Sequence, residues 1–404
     1  MNHTSVFCGW ILVCLLGYSA IAQPAVQSNP LETRYELAGK NRTEIEQAVK
    51  QAPKEHRAAM EFLIQNMRLK DLQSLSAEFL LDNVRVAYEA RAAAPWASQV
   101  SDDLFFKDIL PYANVDEKRE NWRGKLREIC WPIVKDCKTT GEAAQELNKQ
   151  LFKKVKVKYS TKRKKANQSP SESMDSGLAS CTGLSILLVD ACRSVHVPAR
   201  LVGIPRWSNK NGNHTWVEVW DNGDWHFTGA AEYNKDGLDR AWFQRDASLA
   251  DKTKRMNSIY AISFTRTDTV FPIVWSVGRD NASYAINVTD RYAPPKSDSP
   301  KADPNKVQVR IRVWNTAKSE RVATSVTVVS AKQNDQQNDQ PTKDQTKLSG
   351  TSPSNTADMN DMLEFELQRG MKYELQIKNG DNVQKQVITA ADAKSQLVEV
   401  RLEE

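Results

Sequence analysis

The sequence is poor in the features of a membrane protein, a disulfide scaffold or a metalloprotein. Outside the N-terminus, no stretch of its 404 residues approaches 18 consecutive apolar residues, so no membrane span is predicted. Six cysteines are too few for a disulfide scaffold, and neither CxxC nor HxxxH spacing occurs, so we expect no metal and no cofactor. A net charge of +6, with both signs interspersed, predicts no nucleic-acid partner and no general membrane-surface binding.

The N-terminus, MNHTSVFCGWILVCLLGYSAIAQ, has the pattern of a signal peptide. An apolar run from about Val6 to Leu16 precedes the small-x-small triplet that ends at Ala22. The run is too short to span a bilayer, and the triplet is typical of a cleavage site. We therefore predict a signal peptide at residues 1–22, cleavage near Ala22, and a secreted or periplasmic protein.

Cleavage would leave four cysteines, at positions 130, 137, 181 and 192. An exported protein can form a disulfide, and Cys130 and Cys137 are the nearest pair in sequence. On one straight helix these two would lie about two turns apart, too far to bond. Pro132 between them could break that helix, so the sequence leaves open whether this disulfide forms.

The chain divides into regions with different patterns. Residues 30–150 carry apolar residues at helical spacing and predict a helical N-terminal region without chemistry of its own. Residues 151–292 predict an α+β domain, with KVKVKYS as a possible strand, a polar loop after it, a helix from Cys181 and three short strands. Residues 293–306 have linker composition, and residues 307–404 alternate with period two, which predicts an antiparallel β-sandwich with an accessory role.

Cys181 lies at the predicted start of a helix. Downstream, apolar residues at positions 184, 187, 188, 191, 192 and 195 form one buried stripe, so we interpret Cys192 as an inert core thiol. A cysteine in the first helical turn meets the positive end of the helix dipole and free backbone N–H groups. Those groups favour a thiolate and could hold an oxyanion during acyl transfer.

A cysteine nucleophile needs a base, and the four histidines beyond the predicted signal peptide are the candidates. His56 lies in the helical region, and His196 lies in the turn after the Cys181 helix, where we predict a structural role. His214 opens the predicted strand NHTWVEVW and shares a face with Trp216 and Glu218. That strand can bring His214 beside Cys181.

The runs SCTGLSILLVDACRSVHVPARLVG, NHTWVEVW and DWHFTGAAE, in this order, resemble the core of transglutaminase-like cysteine enzymes. The resemblance covers about residues 145–250 and implies a papain-like α+β fold. It rests on a cysteine that opens a helix, the turn VHVPAR and the strand motif HTWVEV. It implies that Cys181 is the nucleophile and His214 the base.

The resemblance also implies an aspartate shortly after the tryptophan of the next strand, to orient the histidine. Here Gly229 stands near that place, and the nearest acid downstream is Glu232. We therefore predict Glu232 as the third catalytic residue. Thr228, a backbone carbonyl, an acceptor elsewhere in the chain, and a degenerate site without catalysis remain alternatives.

Eight basic residues and no acid lie between Lys153 and Lys165. A solvated surface explains them, and the alternative is a docking surface for an acidic glycan or protein. The predicted function is acyl transfer at an amide, most simply hydrolysis of a protein or peptide substrate through a thioacyl intermediate on Cys181. A protein cross-linking transglutaminase and a non-catalytic scaffold or binding protein are the alternatives.

Overall fold

The computed structural model describes residues 30–274, 283–294, 303–315, 317, 319–331, 347–393 and 395–402. The predicted signal peptide and part of the predicted linker lie outside these ranges. Among the described helices, none is long and apolar enough to cross a membrane.

The first part of the chain is helical. Its helices are α1 (Pro30–Ala38), α2 (Arg42–Gln51), α3 (Arg57–Asn66), α4 (Leu69–Leu72), α5 (Ala77–Ala93), α6 (Asp102–Leu104), α7 (Trp122–Val134) and α8 (Thr140–Lys154). The hydroxyls of Ser76 and Thr139 cap α5 and α8 by accepting backbone N–H groups at 3.2 and 3.1 Å. The apolar faces of α2, α3 and α5 pack into one core, as their helical spacing predicts.

The α7 helix continues through Pro132. Cys130 is buried on this helix, Cys137 lies beyond its end, and both are free thiols. Burial raises the pKa of the Cys130 thiol to about 12. The possible disulfide between them is therefore absent.

A five-stranded antiparallel sheet and the helix α10 follow. In chain order the elements are β1 (Lys158–Tyr159), α9 (Pro170–Ser176), β2 (Leu178–Ala179), α10 (Cys181–Ser194), β3 (Ala199–Ile204), β4 (His214–Asp221), β5 (Asp224–Thr228), α11 (Gln244–Ala247), β6 (Tyr260–Ile262), β7 (Ala285–Asn287) and α12 (Thr289–Tyr292). The sheet order is β5-β4-β3-β6-β7. The α10 helix is buried between this sheet and helices α7 and α8.

Two details before α10 differ from the sequence prediction. The KVKVKYS segment is a strand only at Lys158–Tyr159, because α8 extends to Lys154. The segment predicted as a polar loop contains α9, which opens on a capping box between Ser169 and Glu172 with proline at its first position. These local hydrogen bonds fix a short helix that has no apolar stripe.

The C-terminal region is rich in β-structure. Its strands are β8 (Lys306–Asn315), β9 (Glu320–Arg321), β10 (Ser325–Ser330), β11 (Lys347–Thr351), β12 (Leu363–Gln368), β13 (Lys372–Asn379), β14 (Asn382–Thr389) and β15 (Ser395–Leu402). One sheet has the order β11-β10-β13-β14, and the other has β12-β8-β15 with β9 paired to β8. Alternate residues of both sheets form one hydrophobic core.

The prediction that the strands of this C-terminal region are antiparallel was wrong for one described pair, because β15 runs parallel to β8. The preceding strand, β14, lies in the other sheet, so no hairpin fixes the direction of β15. An alternating pattern reports which face is buried and carries no information on strand direction.

Candidate active site

Cys181 is the first residue of α10, and its side chain is partly exposed. The hydroxyl of Ser180 caps the helix by accepting the Gly183 N–H at 3.0 Å and donates to the Ala166 carbonyl at 2.6 Å. In the first turn of a helix the backbone N–H groups have no acceptor within the helix. The Cys181 thiol therefore lies at the positive end of a helix, beside the backbone N–H groups of its first turn.

The other cysteine of this helix, Cys192, is buried in the core. Burial raises the pKa of its thiol well above the ordinary value. Cys192 thus has the environment of an unreactive core thiol.

His214 is the first residue of β4 and is 1% exposed. Its ring is enclosed by four aromatic side chains with ring centroids 4.8 to 6.2 Å from its own: Trp207, Trp216, Trp242 and Phe243. This packing fixes the imidazole.

Asp358, in the loop between β11 and β12, is the acid that the structure places against His214. Its Oδ2 lies 3.5 Å from Nδ1 of His214, at the outer limit of a hydrogen bond, and both side chains are 2% exposed. The Cys181 sulfur, a His214 nitrogen and an Asp358 oxygen all lie within 4.8 Å of one another. Sulfur, imidazole and carboxylate groups can also ligate a transition metal. Among the described residues, Cys181, His214 and Asp358 are the side chains grouped closely enough to hold such an ion.

Asn360 ties the Asp358 loop to the strand that carries His214. Its backbone N–H and its side-chain amide donate to Oδ1 of Asp358 at 2.7 and 2.9 Å, which leaves Oδ2 for the histidine. The same amide donates to the carbonyl of Asn213 at 2.9 Å. The close contact between Asn360 and Asn213 requires a glycine at position 212, because a Cβ there would lie 2.2 Å from the Asn360 Oδ1. The φ of Gly212 is +101°, a backbone conformation that favours glycine.

Further contacts hold the same loop. Arg321 donates to the Asp358 carbonyl at 2.9 Å and to the Asp361 carbonyl at 2.8 Å. The Met359 N–H donates to the Tyr159 hydroxyl at 3.2 Å. Arg321 of the β-rich region and Tyr159 of β1 therefore both hold the loop that carries Asp358.

Buried charges join the β-rich region to the core close to the site. Lys210 pairs with Asp246, and Arg310 of β8 lies 3.7 Å from the same carboxylate. Arg310 also pairs with Glu364 at 2.8 Å. Since breaking a buried ion pair is costly, these contacts favour one fixed placement of Asp358.

The charges of the site favour a protonated histidine. Burial lowers the pKa of the His214 imidazole, but the Asp358 carboxylate and the Cys181 sulfur outweigh burial and raise that pKa to about 10. Burial raises the pKa of Asp358, but His214 and Asn360 lower it more, so the net pKa is below its ordinary value. An imidazolium held by a carboxylate, close to a cysteine sulfur, is the charge arrangement that favours an activated cysteine.

Glu232, the predicted third residue, lies near the site with a different partner. Its Oε2 accepts the indole N–H of Trp242 at 3.0 Å, and the Trp242 ring stands against His214. Burial raises the pKa of the Glu232 carboxyl to about 7, although the His214 charge lowers it. Among the described contacts of Glu232, none is a hydrogen bond to His214, and Asp358 occupies the position beside Nδ1.

The strand motif that carries the resemblance also contains a structural ion pair. Glu218 is fully buried opposite Arg200 on β3 and pairs with it at 2.6 Å. Tyr292 donates to the other oxygen of Glu218 at 2.7 Å. The glutamate of HTWVEV thus fastens β3, β4 and α12 together.

The remaining described histidines have other surroundings. His196 is buried in the turn after α10, where burial lowers the pKa of its imidazole to about 3. His56 stacks on Tyr88, and His226 lies 2.7 Å from Asp239.

The comparisons with known proteins agree with this local architecture. Residues 127–229 match the family model of the transglutaminase-like superfamily, so the chain contains a domain of that type. The match extends from α7 to just beyond β5 and includes Cys181 and His214 but not Asp358. The predicted transglutaminase-like core is thereby confirmed.

Two of the solved structures that are similar to this chain show how far the similarity extends. One, described as a candidate cysteine protease from Cytophaga hutchinsonii, is 17% identical and has a TM-score of 0.25; the similarity covers 41% of this chain and 58% of that one. The other, red sea bream transglutaminase, is 9% identical and has a TM-score of 0.29, with 77% of this chain and 59% of that one covered. This chain thus spans less than two thirds of either structure, and no curated protein matches it.

Proposed function

We propose that this protein is a cysteine-dependent enzyme that transfers an acyl group from an amide, most simply to water. The observation that carries the proposal is the meeting of Cys181, His214 and Asp358 within 4.8 Å. Cys181 is the nucleophile, His214 the base and acid, and Asp358 the acceptor that orients His214. Asp358 supports this role better than Glu232, because the Glu232 carboxylate is engaged by Trp242.

In the proposed reaction, Nδ1 of His214 faces Asp358, and the imidazole exchanges a proton with the thiol. The thiolate attacks the amide carbonyl, and the N–H groups at the start of α10 stabilise the oxyanion. His214 then donates its proton to the leaving amine, and a thioester remains on Cys181. Water, deprotonated by His214, attacks the thioester and releases a carboxylic acid and the free thiol.

We further propose that the substrate is an acidic protein or peptide that binds the basic segment Lys153–Lys165. Seven lysines of this region and Arg163 are at least partly exposed, and among the described residues the one ion pair they form joins Lys165 to Glu172 at 2.8 Å. The segment adjoins the site, because Tyr159 contacts the Asp358 loop and Ala166 contacts Ser180. The N-terminal sequence pattern supports action outside the cytoplasm.

Alkylation tests the nucleophile. With iodoacetamide near neutral pH, the full chain should be modified fastest at Cys181, and the rate should fall at least tenfold in His214→Ala. Cys137→Ala, which removes the other partly exposed thiol, is the matched control and should leave the rate unchanged. Slow labelling of Cys181 that does not depend on His214 would favour a non-catalytic scaffold.

Incubation with casein identifies the reaction. New peptides indicate hydrolysis, incorporation of a labelled amine indicates cross-linking, and both should vanish in Cys181→Ala. If neither product forms while Cys181 labels rapidly, the proposal of hydrolysis at a protein amide is refuted for this substrate class.

A further inference from the structure

A cavity of about 950 Å³ lies between the N-terminal helices and the segments beside β6 and β7. Cys181 is not among the residues that line it. Its walls come from α1, from the region around α4, from the loop before α7, and from Arg266 and Tyr284. The basic side chains that line it are Arg34, Arg68, Lys70, Lys118, Arg119 and Arg266. The acidic ones are Asp71, Asp116 and Glu117, so the lining has three excess positive charges.

Two of the three acids have partners within the wall. Asp71 accepts from Arg119 at 3.1 Å and from Tyr112 at 3.1 Å. Glu117 accepts the backbone N–H groups of Asn114 and Val115 at 2.6 and 2.7 Å and lies 3.7 Å from Arg119. Arg119 is therefore the cation that pairs with both carboxylates.

Three guanidinium groups remain without a described carboxylate. Arg34 donates to the carbonyl of Ile64 at 2.8 Å, Arg68 to the hydroxyl of Ser283 at 2.5 Å, and Arg266 to the hydroxyl of Tyr284 at 3.1 Å. Among the described residues, no carboxylate lies within ion-pair distance of any of the three. Burial, and after it the charge of Arg266, lowers the pKa of Arg34. Burial, and after it the charge of Arg119, lowers the pKa of Arg68, although Glu117 and Asp71 raise it.

We propose that this cavity binds a ligand through a phosphate or sulfate group held by Arg34, Arg68 and Arg266. A tetrahedral oxyanion offers enough oxygens for guanidinium groups that approach from three separate elements, whereas one carboxylate offers two. The cavity is much larger than the anion, and its wall includes Leu37, Met67, Leu69 and Leu75. The group is therefore carried by a larger organic molecule with an apolar part.

Calorimetric titration of the full chain tests the site, with inorganic phosphate, sulfate and phenyl phosphate as probes at constant ionic strength. We expect saturable binding of one equivalent, with phenyl phosphate tighter than inorganic phosphate because it reaches the apolar wall. The relative affinities for phosphate and sulfate identify which ester the natural ligand carries. Acetate should bind at least tenfold more weakly than either oxyanion.

Arg68→Gln and Arg266→Gln should each weaken phosphate binding about tenfold or more, because each removes a charge-assisted contact. Arg57→Gln, at an exposed arginine outside the cavity, is the matched control and should have no effect. Arg266 is exposed, so its replacement tests the site even if Arg68→Gln fails to fold. Absence of saturable binding, or equal binding by Arg266→Gln and Arg57→Gln, would overturn the proposal. The alkylation rate of Cys181 should be the same in all these variants, so the outcome is separate from that of the proposed enzyme activity.

Discussion

Replacing Asp358 with asparagine should remove most of the activity while the fold persists. Asparagine keeps the shape and can still accept the N–H of Asn360, but it has no charge to hold a protonated His214. Both partners are 2% exposed, and the Asp358 charge is a main cause of the rise of the His214 pKa from its ordinary value of 6.5 to about 10. Each pKa unit lost corresponds to about 1.36 kcal/mol of imidazolium stabilisation. Losing most of this rise therefore predicts a fall of kcat/KM at pH 7 of about 10²- to 10⁴-fold.

The pH profile gives the more specific test. In the wild type, loss of the imidazolium proton should limit activity only as the pH rises towards about 10, because the pKa of His214 is raised to that value. Without the Asp358 charge, burial lowers that pKa with less opposition, so the alkaline limb should move towards neutral pH. The assay is the rate of casein cleavage from pH 5 to 11, because protonation of the leaving amine requires the imidazolium.

Two matched variants make the result decisive. Asp361→Asn changes another acid of the same loop, and Glu232→Gln changes the acid predicted from the sequence. Both should keep the alkaline limb near its wild-type position. An unchanged limb in Asp358→Asn, or a shift of the limb in Glu232→Gln alone, would refute the assignment of Asp358.

Two further predictions concern the framework around the site. Glu218→Ala leaves Arg200 buried without its ion-pair partner, so the free energy of unfolding should fall by about 3–5 kcal/mol in urea denaturation, and an unchanged midpoint would contradict the structural role. Gly212→Ala places a Cβ against Asn360 and should lower kcat/KM at least tenfold. Gly124→Ala, where a Cβ meets open space, should leave the activity intact, and equal losses in both variants would contradict the argument.

The proximity of Cys181 and His214 could be predicted from the sequence because local patterns mark both. A capped, apolar helix begins at Cys181, and an alternating strand begins at His214. The order and spacing of this helix and this strand are enough to predict that Cys181 and His214 lie close together in the fold.

Asp358 could not be found in this way. It lies 144 residues after His214, and its place depends on how the β-rich region packs against the core. Its local sequence, with Asn360 two positions later, is typical of a turn in which the aspartate accepts a backbone N–H. Nothing in that pattern indicates which histidine the second oxygen meets.

The alternation of apolar residues fails to mark β11 and β14 for a related reason. β14 presents Val383 and Val387 to solvent, so its pattern lacks a consistent apolar face. β11 is short and follows a polar insertion. Both are strands because neighbours in the sheet satisfy their backbone groups.

The origin of Asp358 near the end of the chain has a consequence for biosynthesis. A ribosome makes Cys181 and His214 long before it makes Asp358, and Asp358 reaches them only when the strands around it have formed their core. Under the proposed mechanism, an unfinished chain carries the thiol and the imidazole without the charge that holds the imidazole protonated. On that mechanism the order of synthesis delays full activity until the strands β8 to β15 have folded.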